Sequence, residues 1–145
     1  NSKLLLNVPP TRDGLLHDVD VSRLAGMRAA LDRMRASDVA TGAHMRREPP
    51  SEKEPGVVIE LRREATIEIA ELREDVAHGQ SVARYFLELR ASPSQPWRPF
   101  VMGNTIGHCK LDRFPPITVR EVRLTILDAL SWPRPVSVRL FASNT

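Results

Sequence analysis

From Glu121 to Ile126 the chain alternates strictly, with Val122, Leu124 and Ile126 set between Glu121, Arg123 and Thr125. A period of two sends one set into a core and the other towards water, which is the pattern of a half-buried strand. The same alternation recurs at Ile67, Ile69 and Leu72, at Tyr85 to Leu89, at Ile106 to Phe114 and at Val136 to Phe141, each run bounded by Gly, Pro, Asp or Ser. The predicted strands are Val57 to Leu61, Ala65 to Arg73, Arg84 to Arg90, Trp97 to Met102, Ile106 to Phe114, Arg120 to Leu127 and Val136 to Ala142. Turns are expected at Asp75 to Gln80, Ser92 to Pro96, Gly103-Asn104, Pro115-Pro116 and Asp128 to Pro135, with Asn104 tolerating positive φ. Short strands separated by such turns predict a mainly β fold, an antiparallel β-sandwich over residues 57–145.

The start of the chain reads differently. Leu4-Leu5-Leu6-Asn7-Val8 is a compact apolar run stopped by Pro9-Pro10 and Asp13-Gly14, which predicts a fully buried strand of the kind found in parallel sheets. Val21, Leu24, Met27, Leu31 and Met34 then recur at three- and four-residue spacing, with Arg23, Arg28, Asp32, Arg33 and Arg35 on the other side. This predicts an amphipathic helix, with Asp20 placed to cap it. One strand and one helix are half of a repeating unit, so residues 1–37 read as the end of something larger. Residues 38–56 shift to Thr-Gly, paired prolines and mixed charge, and read as a linker or shortened loop in which His44 and Met45 face solvent.

Composition narrows the function classes. Of the 145 residues 41% are hydrophobic and 27% charged, so the chain is neither disordered nor of a membrane class. No apolar run approaches the ~20 residues of a membrane helix. The formal charge of +3 raises nucleic acid as a partner, but the arginines interleave with glutamates, as in Glu60-Leu61-Arg62-Arg63-Glu64 and Glu71-Leu72-Arg73-Glu74-Asp75. A sign-mixed, solvated face is expected, with neither nucleic acid nor membrane as partner. Glu60, Glu68, Glu71 and Glu88 are accordingly placed on exposed strand faces; an acid and base pair would need one buried carboxylate. The single cysteine, Cys109, cannot form an intrachain disulfide or a zinc site and reads as a small buried hydrophobe. His17, His44, His78 and His108 show no metal-ligand spacing, and no cofactor is expected.

The residues also carry a resemblance. Leu4-Leu5-Leu6-Asn7-Val8-Pro9-Pro10-Thr11-Arg12-Asp13-Gly14-Leu15, followed by the acidic-capped helix, resembles the end of the catalytic barrel of α-L-fucosidases. Ile69-Ala70-Glu71-Leu72-Arg73-Glu74-Asp75 with Gly79-Gln80, then Gly103-Asn104-Thr105-Ile106-Gly107, Arg113-Phe114-Pro115-Pro116 and Val122-Arg123-Leu124, look like the carboxy-terminal galactose-binding, discoidin-like sandwich of that family. The resemblance implies that residues 1–37 are the last strand and helix of a (β/α) barrel. It also implies a partner, the catalytic barrel, in the same chain or a second polypeptide, and an extracellular or secretory location. Fucosidases of this kind are similar in being retaining glycosidases, with an aspartate nucleophile and a separate acid ~5 Å apart. No position here matches either motif, so no catalytic residue is assigned. The expected role is that of an accessory sandwich to a parent enzyme that hydrolyses α-L-fucosides.

The competing role is a free-standing carbohydrate-binding module for fucosylated glycans. In galactose-binding modules an arginine after the third strand and an amide a few residues later contact sugar hydroxyls, and the resemblance assigns Arg73 and Gln80 to those places. The alternative is that Arg73 pairs with Glu74 or Asp75 at the surface. His78, in the turn with Gly79, is a candidate ligand contact. Trp132 could form an apolar platform for a sugar ring or plug the sandwich edge, while Trp97 is expected in the core. Related modules also carry an Asp-Gly turn and a Tyr-Trp pair along one wall of the sugar site, and Asp38 to Pro55 contains neither.

Overall fold

The computed structural model describes residues 5–48, 56–77, 79–130 and 136–142. The chain divides into two compact units, Ser2–Ser37 and Asp38–Thr145.

The first unit holds one helix, α1 (Asp18–Ala36). His17, not Asp20, is its N-cap: His17 Nδ1 accepts the Val19 backbone N–H at 3.2 Å. Asp18 and Asp20 lie in the first turn and Arg33 and Arg35 in the last, each complementing the helix dipole. Arg28 Nε donates to Asp32 one turn on, at 2.7 Å. No residue of α1 is buried, and Val21 and Met27 of the apolar stripe are exposed. Residues 5–8 form no strand and Leu5 is 93% exposed, which corrects the expectation of a buried strand there. The physical reason is that a parallel strand needs neighbours to satisfy its backbone, and no strand among the described residues pairs with it.

Among its described residues the second unit has six strands, all paired antiparallel: β1 (His44–Glu48), β2 (Gly56–Glu74), β3 (Val82–Arg90), β4 (Arg98–Asn104), β5 (Lys110–Ala129) and β6 (Val136–Ala142). They form one continuous sheet in the order β1-β2-β5-β3-β4, with β6 also on β2. The two long strands organise it. The first half of β2 pairs with β1 and with the second half of β5, whereas the second half of β2 pairs with β6 and with the first half of β5. The second half of β5 also carries β3. Ile59, Leu87, Leu89, Val122 and Leu124 from one end share a single buried cluster with Ile67, Ala70, Leu72, Val138 and Leu140 from the other.

Two irregularities let the long strands run on where the sequence predicts breaks. Glu60 faces Glu121 and Ala65 faces Val119, so four residues of β2 stand against Arg120 alone. Ile67 faces Ile117 and Ile69 faces Arg113, so Phe114, Pro115 and Pro116 stand against Glu68. Proline has no ladder donor, and a bulge is where a strand tolerates that loss. Pro115-Pro116 is therefore a bulge within β5 rather than a turn. The expected linker also contains structure, since β1 zips onto β2 as an edge strand and Asp38 bridges Phe141. Ile106 to Cys109 forms a loop in place of the start of a strand, and Cys109 is half-buried.

Tyr85 crosses the core. Its ring is fully buried, it faces Gly103 across β3 and β4, and its hydroxyl donates to Asp112 Oδ2 on β5. Burial first, and then this bond to an anion, push the phenol far above its ordinary pKa. Tyr85→Phe is expected to lose about 1.5–3 kcal/mol of stability, the value of a hydrogen bond to a charged group, read as a lower urea midpoint with an unchanged slope.

Candidate functional site

At the end of β2 the strand alternation that buries Ala70 and Leu72 turns the next residue of the same parity, Glu74, inward as well. A carboxylate there must find donors or lose its charge. Its Oε1 accepts the backbone N–H and the hydroxyl of Ser81 and, at 2.9 Å, the N–H of Val82. Its Oε2 accepts the N–H of Gly107 at 3.1 Å, while the Glu74 N–H donates to the Gly107 carbonyl. Burial alone would raise the Glu74 pKa, but these bonds from Ser81, Val82 and Gly107 outweigh it and hold the carboxyl below its ordinary value. One side chain thus joins the loop entering β3 to the loop leaving β4.

The second loop is strained. Thr105 has φ +60°, a conformation rare for a β-branched residue, and Gly107 has φ +62°. Asn104, expected to tolerate positive φ, instead ends β4 with an ordinary backbone. Thr105 is held from both sides: its N–H donates to the Ala83 carbonyl at 3.3 Å and its Oγ1 accepts from Gln80 Nε2 at 3.5 Å.

Of the residues picked out from the sequence, Gln80 therefore lies at the Thr105 end of this loop. Arg73 pairs with Glu71 on its own strand. Its Nε donates to Glu71 Oε1 at 2.7 Å, and this bond, ahead of the opposing effect of desolvation, raises the guanidinium pKa. That contact uses one of its five donors. His78 and Trp132 lie outside the described residues. Sequence reasoning missed Glu74 by grouping it with Asp75 as surface charge, although its parity with Ala70 and Leu72 placed it inside.

The glutamates expected on exposed faces divide in two. Glu60 is exposed and Glu68 half-buried, but Glu71 and Glu88 are buried. Each is covered by arginines on neighbouring positions: Arg73 and Arg139 reach Glu71, and Arg123 meets Glu88 at 2.7 Å while Thr125 Oγ1 donates to the same oxygen at 2.6 Å. Arg90 pairs likewise with buried Glu121. Trp97 belongs to this outer layer rather than the core, with Arg90 Cζ 4.3 Å and Arg123 Cζ 4.7 Å from its ring centroid. The long aliphatic stems and the ring keep water from the carboxylates beneath. Trp97→Ala is expected to destabilise by roughly 1–2 kcal/mol through two lost cation–π contacts, and the loss should persist in 0.5 M salt, as it would for partly desolvated pairs. Among the described residues no three His, Cys, Asp or Glu side chains stand close enough to share a metal ion.

No family model matches the chain. α-L-Fucosidase 1 of Arabidopsis thaliana is 25% identical over 79% of this chain, and the chain spans only 28% of that relative's length. A GH29 fucosidase from Ruminococcus gnavus, solved in complex with fucose, superposes with a TM-score of 0.81 at 21% identity, covering 99% of this chain and 34% of that one. The structure of CpGH89CBM32-5 from Clostridium perfringens, in complex with GalNAc-β-1,3-galactose, matches with a TM-score of 0.59 at 16% identity, covering 73% of this chain and all of that one. The fold is that of the carboxy-terminal domain in GH29 fucosidases. By sequence and by fold, the chain is related to the carboxy-terminal portion of the α-L-fucosidases.

Proposed function

We propose that this chain serves as the accessory β-sandwich portion of an α-L-fucosidase, completing and covering a catalytic barrel that hydrolyses α-L-fucosides. The observation that carries the reading is the apolar surface of the first unit: Leu5, Leu15, Val21 and Met27 are exposed, and α1 buries nothing. Large apolar side chains left in water at several positions of one unit mark a surface that a partner would cover. A barrel is the partner the resemblance supplies, in the same chain or in a second polypeptide. Among the described residues, the buried carboxylates of Glu74, Glu88 and Glu121 are taken up by backbone donors or arginines.

Polar substitution of that surface tests the reading. The unmodified chain is expected to self-associate, with a light-scattering mass well above 16.3 kDa. The double variant Val21→Ser, Met27→Ser should be monomeric, with the thermal transition of the sheet unchanged. A monomeric unmodified chain would contradict the accessory role.

A second reading, a free-standing carbohydrate-binding module, is favoured by the fold shared with CpGH89CBM32-5, whose whole chain is matched and which binds GalNAc-β-1,3-galactose. It predicts a soluble monomer with measurable affinity for galactose or fucose. Under this reading Arg73 and Gln80 contact sugar hydroxyls, with His78 and Trp132 as further contacts, and the ligand is a fucosylated or galactosylated glycan.

A further inference from the structure

We infer that Glu74 is a positioning residue: its carboxylate staples the chain at Ser81 and Val82 to the 105–109 loop as one preformed rim and holds Thr105 in its strained conformation. The ligand of that rim rests on the carbohydrate-binding reading; the staple does not. Four hydrogen bonds converge on this carboxylate from Ser81, Val82 and Gly107, three of them from backbone N–H groups on two loops far apart in sequence. Ser81 and residues 105–109 lie outside the strands, so the side chain supplies the acceptor that a strand neighbour would otherwise offer to Ser81 and Gly107.

The strained residue sits where the staple acts. A β-branched residue in the left-handed region costs free energy and persists only where its surroundings over-determine it. Here the Ala83 carbonyl and Gln80 hold Thr105, and Glu74 holds Gly107 two residues on from both sides of its peptide. Gln80 is thereby tied to the Thr105 end of the loop. The position of Gln80 is thus set by a loop that Glu74 fixes. A binding surface that is rigid before its ligand arrives avoids the ordering cost on binding, which is the advantage a buried staple confers.

The test compares the unmodified chain with Glu74→Gln, the near-isosteric neutral variant, in two readouts: residue-resolved amide exchange, and ¹⁵N–¹H shifts on titration with fucose and with galactose. The staple predicts that exchange at Ser81, Val82 and Gly107 speeds at least tenfold in Glu74→Gln, while Val122 and Leu124 in the core keep their protection. Sugar-induced shifts near Arg73 and Gln80 should weaken at least fivefold in the same variant. Unchanged exchange at the three amides would overturn the positioning role. Loss of protection equally at Val122 and Leu124 would overturn it too, by making Glu74 a general stability residue. Absence of any sugar shift in the unmodified chain would sink the carbohydrate reading alone, with the exchange data still deciding the staple. Should Glu74→Gln fail to fold, Ser81→Ala removes one of the four bonds, and the staple then predicts a local rise in exchange at Val82 and Gly107, its absence counting against the role.

Discussion

Glu74→Ala is expected to lose about 3–5 kcal/mol of folding free energy. Removing the acceptor leaves the N–H groups of Ser81, Val82 and Gly107 without their partner, and a buried donor left unsatisfied costs about 1–3 kcal/mol. Water entering the vacated space recovers part of that. The acid dependence follows from the same contacts. The folded Glu74 carboxyl titrates below the unfolded value of 4.5, so at higher pH both states are ionised and the stabilisation is fully present. As pH falls below 4.5 the unfolded chain takes up a proton first, and the stabilisation is lost progressively until the folded carboxyl also protonates. The unmodified chain should therefore lose stability below pH 4.5 more steeply than Glu74→Gln, which has no carboxyl to titrate there. Urea midpoints measured between pH 3 and pH 6 would show two curves converging as the pH drops; parallel curves would contradict the assignment.

Gly103→Ala is expected to cost roughly 3 kcal/mol, out of proportion to a single methyl group on a strand at the sheet edge. Gly103 lies directly across from Tyr85, and a Cβ there would stand 2.7 Å from Tyr85 Cε1 and nearer still to Cζ and Oη. The ring cannot retreat, because it is fully buried and its hydroxyl is anchored on Asp112. Either β4 moves away from β3 or the ring leaves its donor position, so the strain combines with a weakened bond to a charged acceptor. The two contributions separate in a double-mutant cycle with Tyr85→Leu. In that background Gly103→Ala should cost under about 1 kcal/mol, the remainder appearing as coupling between contacting residues. Equal costs in both backgrounds would mean that the glycine is required for backbone reasons instead.

The sequence pattern was most informative where strands are short and regular. Val136 to Ala142 is predicted to the residue, and β3 and β4 are displaced by no more than two residues at either end. It failed where irregularity is absorbed without a break. Pro115 and Pro116 signal a stop in local terms, yet a bulge opposite Glu68 accommodates their missing donors and β5 continues. The weak pattern His44-Met45-Arg46-Arg47-Glu48 gives no strand signal by itself, and only pairing with Val57 to Glu60 makes it β1. Burial of charge was the other gap. Alternation marks Glu71 and Glu88 as outward-facing, which they are, but outward became buried because Arg73, Arg123 and Arg139 lie across them. Which side chain covers which depends on strand order, and no local period encodes that. The Glu74 contacts likewise needed Gly107 and Ser81 brought together from segments far apart in the chain, which no local pattern encodes.

The central proposal, that this chain serves as the accessory portion of a larger α-L-fucosidase, is tested most directly by hydrolysis of a chromogenic α-L-fucoside, with the intact mass of the same sample determined in parallel. The account predicts a mass of 16.3 kDa with no turnover above the uncatalysed rate, and turnover only in preparations containing a catalytic barrel. A sample of 16.3 kDa that releases the chromophore at an enzymatic rate, on the order of 1 s⁻¹ or faster, would contradict it.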